Sequence, residues 1–501
     1  MLLGYDIGSS FVKASLIDIS TNSTLFTTQS PNTEMPIKVK SPGFAEQNVD
    51  EWWRSVVAVT HSIVSYCISS NLSTDQIKSI GISYQMHGLV LLDANGQVLR
   101  ESIIWCDSRG ISYGKRYEEM IGAEFCEEHL LNLPGNFTAS KIGWVREHEP
   151  EVFSRIYKVM LPGDYIAYRM SGKMQTTCSG LSEMMLWDYT TQSISEEMVS
   201  MCGLKLSQLC DKVDTFSVQG TLLLSVSEEL KIPQNVKICY RSGDQPNNAF
   251  TLNCLHDGEV ASTAGTSGVV YCITQHKVKD STNEVNTFLH VNHSTENEHY
   301  GVLLCISGCG CLYSFMKKVI GAEYTRMNEL SEQVQIGSDG LLVIPFGNGP
   351  ERILGNLDMN CSIHGINFFI HDKRHLIRAS LESIAFSFAY GIKHIENMGI
   401  HINTIKACKA NLFLSNVFVE TLSGVTNKVV EIYDSDTASG AARGSGIGLG
   451  VFTYAECAPK IVERVCIEDE KRRQLFALYY KQWENIVLRQ KDELLQKVFN
   501  N

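Results

Sequence analysis

The sequence predicts an α/β protein of two similar domains with a cleft between its lobes. Three observations carry that expectation: the length of the chain, strand and helix patterns that alternate along it, and a strand-turn-strand string that occurs twice. At 501 residues the chain exceeds what one hydrophobic core usually serves, and each half is large enough to bury its own. Alternating strands and helices in both halves favour layered α/β domains, whose ligands bind in crevices.

The first copy of the string is residues 1–13, where a hydrophobic strand runs into Asp6-Ile7-Gly8-Ser9-Ser10 and then into a second strand ending at Lys13. Gly8 lets the backbone approach an anion, successive N–H groups in such a turn point at phosphate oxygens, and Ser9 and Ser10 add hydroxyl donors. Asp6, at the strand tip, suits a hydrated magnesium ion. Taken alone, the string reads first as an ordinary hairpin with a polar turn. The second copy runs through residues 259–270, where Gly265-Thr266-Ser267 falls in the place of Gly8-Ser9-Ser10, an offset of 257 residues (265 minus 8). Two such clamps about half a chain apart predict an internal duplication with both copies serving one nucleotide.

Along the chain, Asn48-Val49-Asp50 opens a helix carrying Trp52, Trp53, Val56, Val57 and Ile63, with Asp50 or Asn48 as N-cap. Residues 77–83 read as a buried strand. Residues 89–92 and 97–99 flank Asn95-Gly96, a strong hairpin signal. A strand over 236–240 precedes Arg241-Ser242-Gly243-Asp244-Gln245-Pro246-Asn247-Asn248. Leu376, Ser380, Leu381, Ile384, Ala385, Phe388 and Ile392 follow helical spacing and end near Gly399. A final helix carries Leu475, Leu478, Tyr479, Trp483, Ile486 and Val487. These stripes are core, without chemistry of their own.

Composition narrows the function classes. A formal net charge of -12 argues against nucleic acid or an anionic membrane as partner, because both call for clustered Lys and Arg. Lys471-Arg472-Arg473 is a short basic run that a solvated helix face explains. Asp6 interrupts the initial hydrophobic run, so no secretory leader is expected, and no apolar stretch is long enough to span a bilayer; the expectation is a soluble, cytosolic protein. The 16 cysteines are irregularly spaced with no Cys-x-x-Cys pair, which reads as reduced and mostly buried. Cys305, Cys309 and Cys311 are open to a soft-metal site but lack a second ligand pair. Gly308 and Gly310 beside them make a small-residue surface for a flat ligand or a helix.

Two further strings carry chemistry. Ser83-Tyr84-Gln85-Met86-His87-Gly88 ends the strand over 77–83, and polar side chains at such a tip face a crevice; His87 by itself reads first as a satisfied core or surface histidine rather than a ligand. Asp244 follows a glycine and has amides on its far side, which suits a general base aimed at a hydroxyl. The same residues all favour turns.

With these strings together the chain resembles the FGGY carbohydrate kinases, and within them the xylulokinase group. The resemblance covers nearly the whole chain. Besides the two clamps it rests on Gln85-Met86-His87-Gly88-Leu89-Val90-Leu91-Leu92-Asp93, Ile104-Trp105-Cys106-Asp107-Ser108-Arg109, Leu133-Pro134-Gly135-Asn136-Phe137-Thr138-Ala139-Ser140-Lys141 and Leu161-Pro162-Gly163-Asp164-Tyr165-Ile166. In the second half it rests on Gly365-Ile366, Arg378-Ala379-Ser380-Leu381-Glu382 and Gly440-Ala441-Ala442-Arg443-Gly444. The resemblance implies a ribonuclease-H-like, actin-type ATPase fold in both domains: sugar-binding over 1–246, nucleotide-binding over 255–450, and a helical extension over 451–501. It implies Asp244 as catalytic base, Met86, His87, Asn136, Phe137, Gln245 and Asn248 around the sugar, and Asp6 as organiser of Mg²⁺. Nucleotide contacts fall on Gly8, Ser9, Ser10, Gly265, Thr266, Ser267, Gly310, Cys408, Lys409 and Asn411. The expected partners are the sugar and ATP, without nucleic acid or membrane, and a homodimer is left open.

The chain also departs from that family. Tyr84 stands where members commonly have glycine before Gln-Met-His-Gly. The adenine-side loop, typically Gly-Gly-Gly-Ala, is Ala407-Cys408-Lys409-Ala410-Asn411, and Thr176-Thr177-Cys178-Ser179-Gly180-Leu181-Ser182 replaces a segment with Thr-Asp. The implied reaction is γ-phosphoryl transfer from ATP to a primary hydroxyl of a ketose, D-xylulose above the other family sugars, driven by positioning and charge neutralisation. No P-loop Gly-Lys-Ser/Thr and no protein-kinase motif set is present. A non-catalytic actin-type regulator would have no use for Gly243-Asp244. A chaperone-type ATPase would need a further domain, and about fifty residues after Gly450 are too few for one.

Overall fold

The computed structural model describes residues 1–280 and 282–499. The chain forms two compact units, each built on one mixed sheet. The first comprises Met1–Asn253, Phe288–Tyr300 and Ser435–Pro459; the second comprises Cys254–Thr287, Gly301–Asp434 and the chain from Lys460 on.

The first sheet contains β1 (Leu2–Ile7), β2 (Val12–Ile17), β3 (Thr24–Ser30), β4 (Ser79–Tyr84), β5 (Phe216–Thr221) and β6 (Lys237–Gly243), in the order β5-β6-β4-β1-β2-β3. β1 turns back antiparallel into β2, while β1, β4 and β6 run parallel. Their C-terminal ends therefore lie side by side: Asp6 is level with Ser83, and both Ile7 and Gly243 are level with Tyr84. Side chains alternate across a strand. On β1, Tyr5 points to the helix Val49–Ser69, where its hydroxyl meets Thr60 Oγ1 at 2.6 Å. Leu2, Gly4 and Asp6 point to the other face, covered by the helix Thr437–Leu449.

That second helix lies unusually close. A Cβ on Gly4 would sit 1.9 Å from the carbonyl oxygen of Ala438, and one on Gly81 would sit 1.8 Å from that of Ala441. On the helix itself, a Cβ on Gly440 would meet Thr251 Oγ1 at 1.6 Å, and one on Gly448 the Cys239 carbonyl at 1.9 Å. Small residues on both partners let backbone touch backbone. By packing, residues 435–459 thus belong with the first sheet, whereas the sequence reading places 435–450 in the second domain and 451–459 in the extension.

The second sheet contains β7 (Glu259–Ala264), β8 (Gly268–Thr274), β9 (Asn286–Leu289), β10 (Tyr300–Ile306), β11 (Thr404–Cys408), β12 (Val429–Tyr433) and β13 (Ile461–Val465), in the order β9-β10-β8-β7-β11-β12-β13. Six strands repeat the first sheet. β7 turns back antiparallel into β8 and pairs in parallel with β11, which pairs in parallel with β12; β13 closes antiparallel on β12 as β5 does on β6. The duplication read from two short strings extends through the topology. The long helix Lys373–Asn397 is buried along this core, and the helix Glu470–Phe499 buries Trp483, whose indole N–H donates to the Val343 carbonyl at 3.1 Å.

Local expectations hold with small shifts. Asn48, not Asp50, caps the first helix, its side chain accepting from the Asp50 N–H at 2.9 Å. Asn95-Gly96 makes the expected tight turn, closed by Gly96 N–H to Asp93 O at 2.9 Å, but 97–99 contributes one bridge rather than a strand. None of the sixteen cysteines forms a disulfide. Among the described residues no helix is long and apolar enough to cross a membrane, and no group of three or more His, Cys, Asp or Glu is arranged to hold a metal. The expected extension 451–501 ends outside the described residues.

The close helix contact yields a direct test. Gly81→Ala forces a methyl into the Ala441 carbonyl, so stability should fall by at least about 1–3 kcal/mol, the usual cost of overpacking a core. A denaturation midpoint equal to that of the parent would show that the helix does not approach so closely.

Candidate active site

In the first unit the parallel strand tips gather the carboxylates. Asp6 Oδ1 accepts from Ser83 Oγ at 2.8 Å, and its Oδ2 accepts from Thr437 Oγ1. The Thr437 carbonyl in turn accepts from Asn247 Nδ2 at 2.8 Å. β6 passes directly into a helix, Asp244–Thr251, with Gly243 at its N-cap. Pro246 is tolerated there because first-turn N–H groups have no intrahelical acceptor. Asp244 is thus a first-turn helix residue at a strand tip, not part of a turn. Burial, and after it the negative charge of Asp6, pushes its carboxyl up to about 7, while the Gln245 N–H and side chain partly oppose the rise. A carboxylate that titrates near neutrality is matched to general-base work. Asn248 lies one turn further along the same helix and is buried.

Met86 and His87 follow β4. Met86 packs against Gly243, where a Cβ would lie 2.6 Å from Met86 Cγ. His87 adopts φ +59°, a left-handed conformation uncommon at non-glycine residues, though histidine enters it more readily than most. Its Nδ1 lies 2.9 Å from the Glu183 main-chain oxygen; a carbonyl only accepts, so Nδ1 carries the proton. The ring stands edge-on to Phe137 at 5.1 Å and tilted to Phe288 at 5.4 Å. Asn136 Nδ2 donates to the Asp107 carbonyl. Around this group the buried amide oxygens of Gln85, Asn136, Gln245 and Asn247 have no hydrogen-bond partner. Buried acceptors left without a donor are uncommon in folded proteins.

The departure at Tyr84 is absorbed locally. Its ring fills the space over Gly163, where a Cβ would meet Tyr84 Cδ1 at 2.0 Å. Burial raises the Tyr84 hydroxyl well above its ordinary value, with Glu183 and Asp164 adding to the rise.

The first clamp turn is held by its neighbours: Gly8 N–H donates to Phe11 O at 3.0 Å, Gln47 Nε2 to Ser9 O at 2.6 Å, and the Met35 N–H to Ser10 O at 2.9 Å. The half-exposed indole of Trp105 donates to Ser9 Oγ at 3.2 Å.

In the second unit, Gly265, Thr266 and Ser267 form the turn between β7 and β8. The helix Gly310–Ile320 docks its N-terminus on that turn, with Gly310 N–H to Gly265 O and Cys311 N–H to Thr266 O at 3.0 Å each. A Cβ on Gly310 would fall 2.2 Å from Gly265 O. The buried Glu351 carboxylate accepts from the Ser307 and Gly308 N–H groups at 2.9 Å and fixes the preceding loop. A cavity of about 900 Å³ opens beside the turn, with Gly265, Thr266, Gly310, Asn411, Tyr313 and Tyr324 in its wall. Cys408, Lys409 and Ser267 do not line it. Asn411 takes φ +54°, so one asparagine adopts the conformation that a glycine-rich loop would give freely.

Sequence reasoning placed Ser83 in the strand-tip string without giving it a role, and it missed Thr437, Phe288, Glu183 and Glu351, which reach the sites only through tertiary packing.

Residues 1–251 match the N-terminal domain, and residues 260–447 the C-terminal domain, of the FGGY family of carbohydrate kinases. The chain is 27% identical to the xylulose kinase of Bacillus subtilis, over 98% of this chain and 97% of that protein. Its fold superposes on the xylulose kinase of Rhodospirillum rubrum with a TM-score of 0.86 at 20% identity, covering 100% of each chain. It superposes on the glycerol kinase of Plasmodium falciparum, solved with ADP, with a TM-score of 0.87 at 19% identity, covering 97% of each. The actin-type, ribonuclease-H-like architecture is therefore the fold of this chain.

Gly310→Ala should displace the Gly265 carbonyl and with it the clamp turn. Affinity for ADP, read by calorimetry, is expected to fall about tenfold, the equivalent of about 1.4 kcal/mol of overpacking. Unchanged ADP binding would separate the turn from the nucleotide.

Proposed function

The chain belongs to the FGGY family of carbohydrate kinases, and on that premise we propose that it transfers the γ-phosphoryl group of ATP to a primary hydroxyl of a ketopentose, converting D-xylulose to D-xylulose 5-phosphate. The observation that carries the acceptor class is the set of open amide oxygens on Gln85, Asn136, Gln245 and Asn247 beside His87 and Asp244. The choice of D-xylulose rests on the likeness to xylulose kinases along nearly the whole chain. The fold itself does not choose, since it is shared with a glycerol kinase.

In this reading Asp244 is the general base. It accepts the proton of the acceptor hydroxyl as that oxygen attacks phosphorus, and a carboxyl that titrates near neutrality is available to do so. Met86, His87, Asn136, Phe137, Gln245 and Asn248 orient the sugar. Gly265, Thr266 and Gly310 hold the phosphates of the nucleotide, with its base against Asn411 in the adjoining cavity, and Gly8, Ser9 and Ser10 serve the transferred group. Asp6 fits a magnesium ion: it is a half-buried carboxylate whose two oxygens each keep a lone pair after meeting Ser83 and Thr437, and magnesium is commonly held by one or two carboxylates together with substrate phosphates. Bound there, Mg²⁺ supplies charge neutralisation to the phosphates. The boundaries 1–246, 255–450 and 451–501 are proposed as sugar-binding part, nucleotide-binding part and extension.

A coupled ADP-release assay over ketoses, polyols and sugar acids tests the acceptor: D-xylulose is expected to give the highest kcat/KM, and a preference for a polyol or sugar acid would overturn the choice. Asp244→Asn should lower kcat on the order of a hundredfold or more. Its Tm should not fall, because a buried carboxylate facing Asp6 is removed. In the parent, Asp244 must be ionised to accept a proton, so kcat/KM should decline tenfold per pH unit below about 7. A variant that keeps most of its turnover, or a profile flat to pH 5, would remove Asp244 as base. His87→Ala should raise the KM for sugar several-fold, as loss of one neutral hydrogen bond worth about 0.5–1.5 kcal/mol does, and leave that for ATP in place.

A further inference from the structure

Two of the contacts that hold His87 come from buried residues. The ring is fixed through Nδ1 by the main-chain carbonyl of Glu183 at 2.9 Å, at the end of the helix Cys178–Glu183. The backbone is fixed by Lys141, whose Nζ donates to the His87 carbonyl at 2.8 Å. Lys141 sits in the helix Thr138–His148 with no exposed surface. Burying an ammonium is costly, and burial lowers the Lys141 amine to about 7, with the Asp107 carboxylate partly opposing the fall. Its charged neighbours are largely committed elsewhere: Asp107 pairs with Arg109 at 2.7 Å and also accepts from the Ala45 N–H. Burial pushes the Glu183 carboxyl well above its ordinary value, with the Tyr84 hydroxyl and the His87 N–H opposing the rise and Asp244 and Asp164 adding to it.

His87 is also the residue that needs holding. Left-handed backbone at a non-glycine residue is unfavourable and persists where the surroundings over-determine it. At φ +59° a rotated His87 peptide would carry the imidazole away from Phe137 and Phe288. A methionine at position 141 would fill similar space without an N–H donor, so the amine is explained by the carbonyl it grips. Phe137, read as part of the sugar site, lies in the same family-like block as Lys141 and one residue before its helix begins.

We propose that Lys141 is a positioning residue of the acceptor site: together with the Glu183 carbonyl it clamps His87 in the left-handed conformation and so fixes the imidazole that meets the sugar. The inference rests on the reading of His87 as a sugar contact, which His87→Ala tests by itself. The acceptor is the sugar that the panel assay identifies.

The experiment is a double-mutant cycle on the full chain with Lys141→Met and His87→Gly, since glycine needs no clamp at φ +59° and brings no ring. Lys141→Met alone should raise the KM for sugar about tenfold, change the KM for ATP less than twofold, and lower kcat much less than Asp244→Asn does. In the His87→Gly background the same change should leave the KM for sugar nearly where it was. An equal rise in both backgrounds, or a parent-like KM for Lys141→Met while His87→Ala raises it, overturns the clamp and leaves the sugar reading standing. If Lys141→Met does not fold, the double variant decides: recovery of folding with His87→Gly supports the clamp, and failure in both backgrounds assigns Lys141 to the core and overturns it.

Discussion

The contact on which the first unit depends is backbone against backbone: the helix Thr437–Leu449 lying on Gly4 of β1 and Gly81 of β4 with no side chain between them. Dispersion forces fall steeply with separation, so this approach is available only where both partners lack bulk. It has a chemical consequence. Because the helix begins at the tip of β1, its first residue delivers a hydroxyl to Asp6 Oδ2, and the Thr437 carbonyl ties down Asn247 in the helix that starts with Asp244. One small-residue helix thus fixes the two carboxylates relative to each other.

Those carboxylates explain each other's chemistry. Asp6 has its oxygens met by two hydroxyls, while half-buried Asp244 is raised to about 7 by desolvation first and by the negative charge of Asp6 second. The same low-dielectric surroundings that push Asp244 toward neutrality make the open amide oxygens nearby strong acceptors. Lys141 extends the pattern: a buried amine kept for the peptide it holds.

The two sheets share an order and a strand-turn-strand clamp, yet they are not chemically equivalent. At the offset of 257 residues, Asp6 corresponds to Thr263. The first copy therefore carries a carboxylate at its strand tip and the second a hydroxyl, beside the turn on which a helix N-terminus docks. Duplicated scaffolds diverge this way because the fold requires only the turn and the alternation of the strand, leaving the tip residue free to change.

By itself the sequence determined the fold class, the duplicated clamps, the main helices and strands, and the string containing Asp244, because each is written in local periodicity, turn chemistry or a contiguous run. Asn48 as cap, Asn95-Gly96 as turn and the buried strand before Gln85 are all short-range facts. Only the tertiary structure decided that residues 435–459 pack on the first sheet, that Thr437, Glu183, Phe288 and Lys141 serve the site, and that Cys408 and Lys409 stay off the cavity wall while Asn411 lines it. It also decided that Tyr84 is absorbed by Gly163. The physical reason is common to these cases: each is a contact between residues far apart in the chain, set by how closely two elements approach and by which groups are left without water, and no local pattern encodes either.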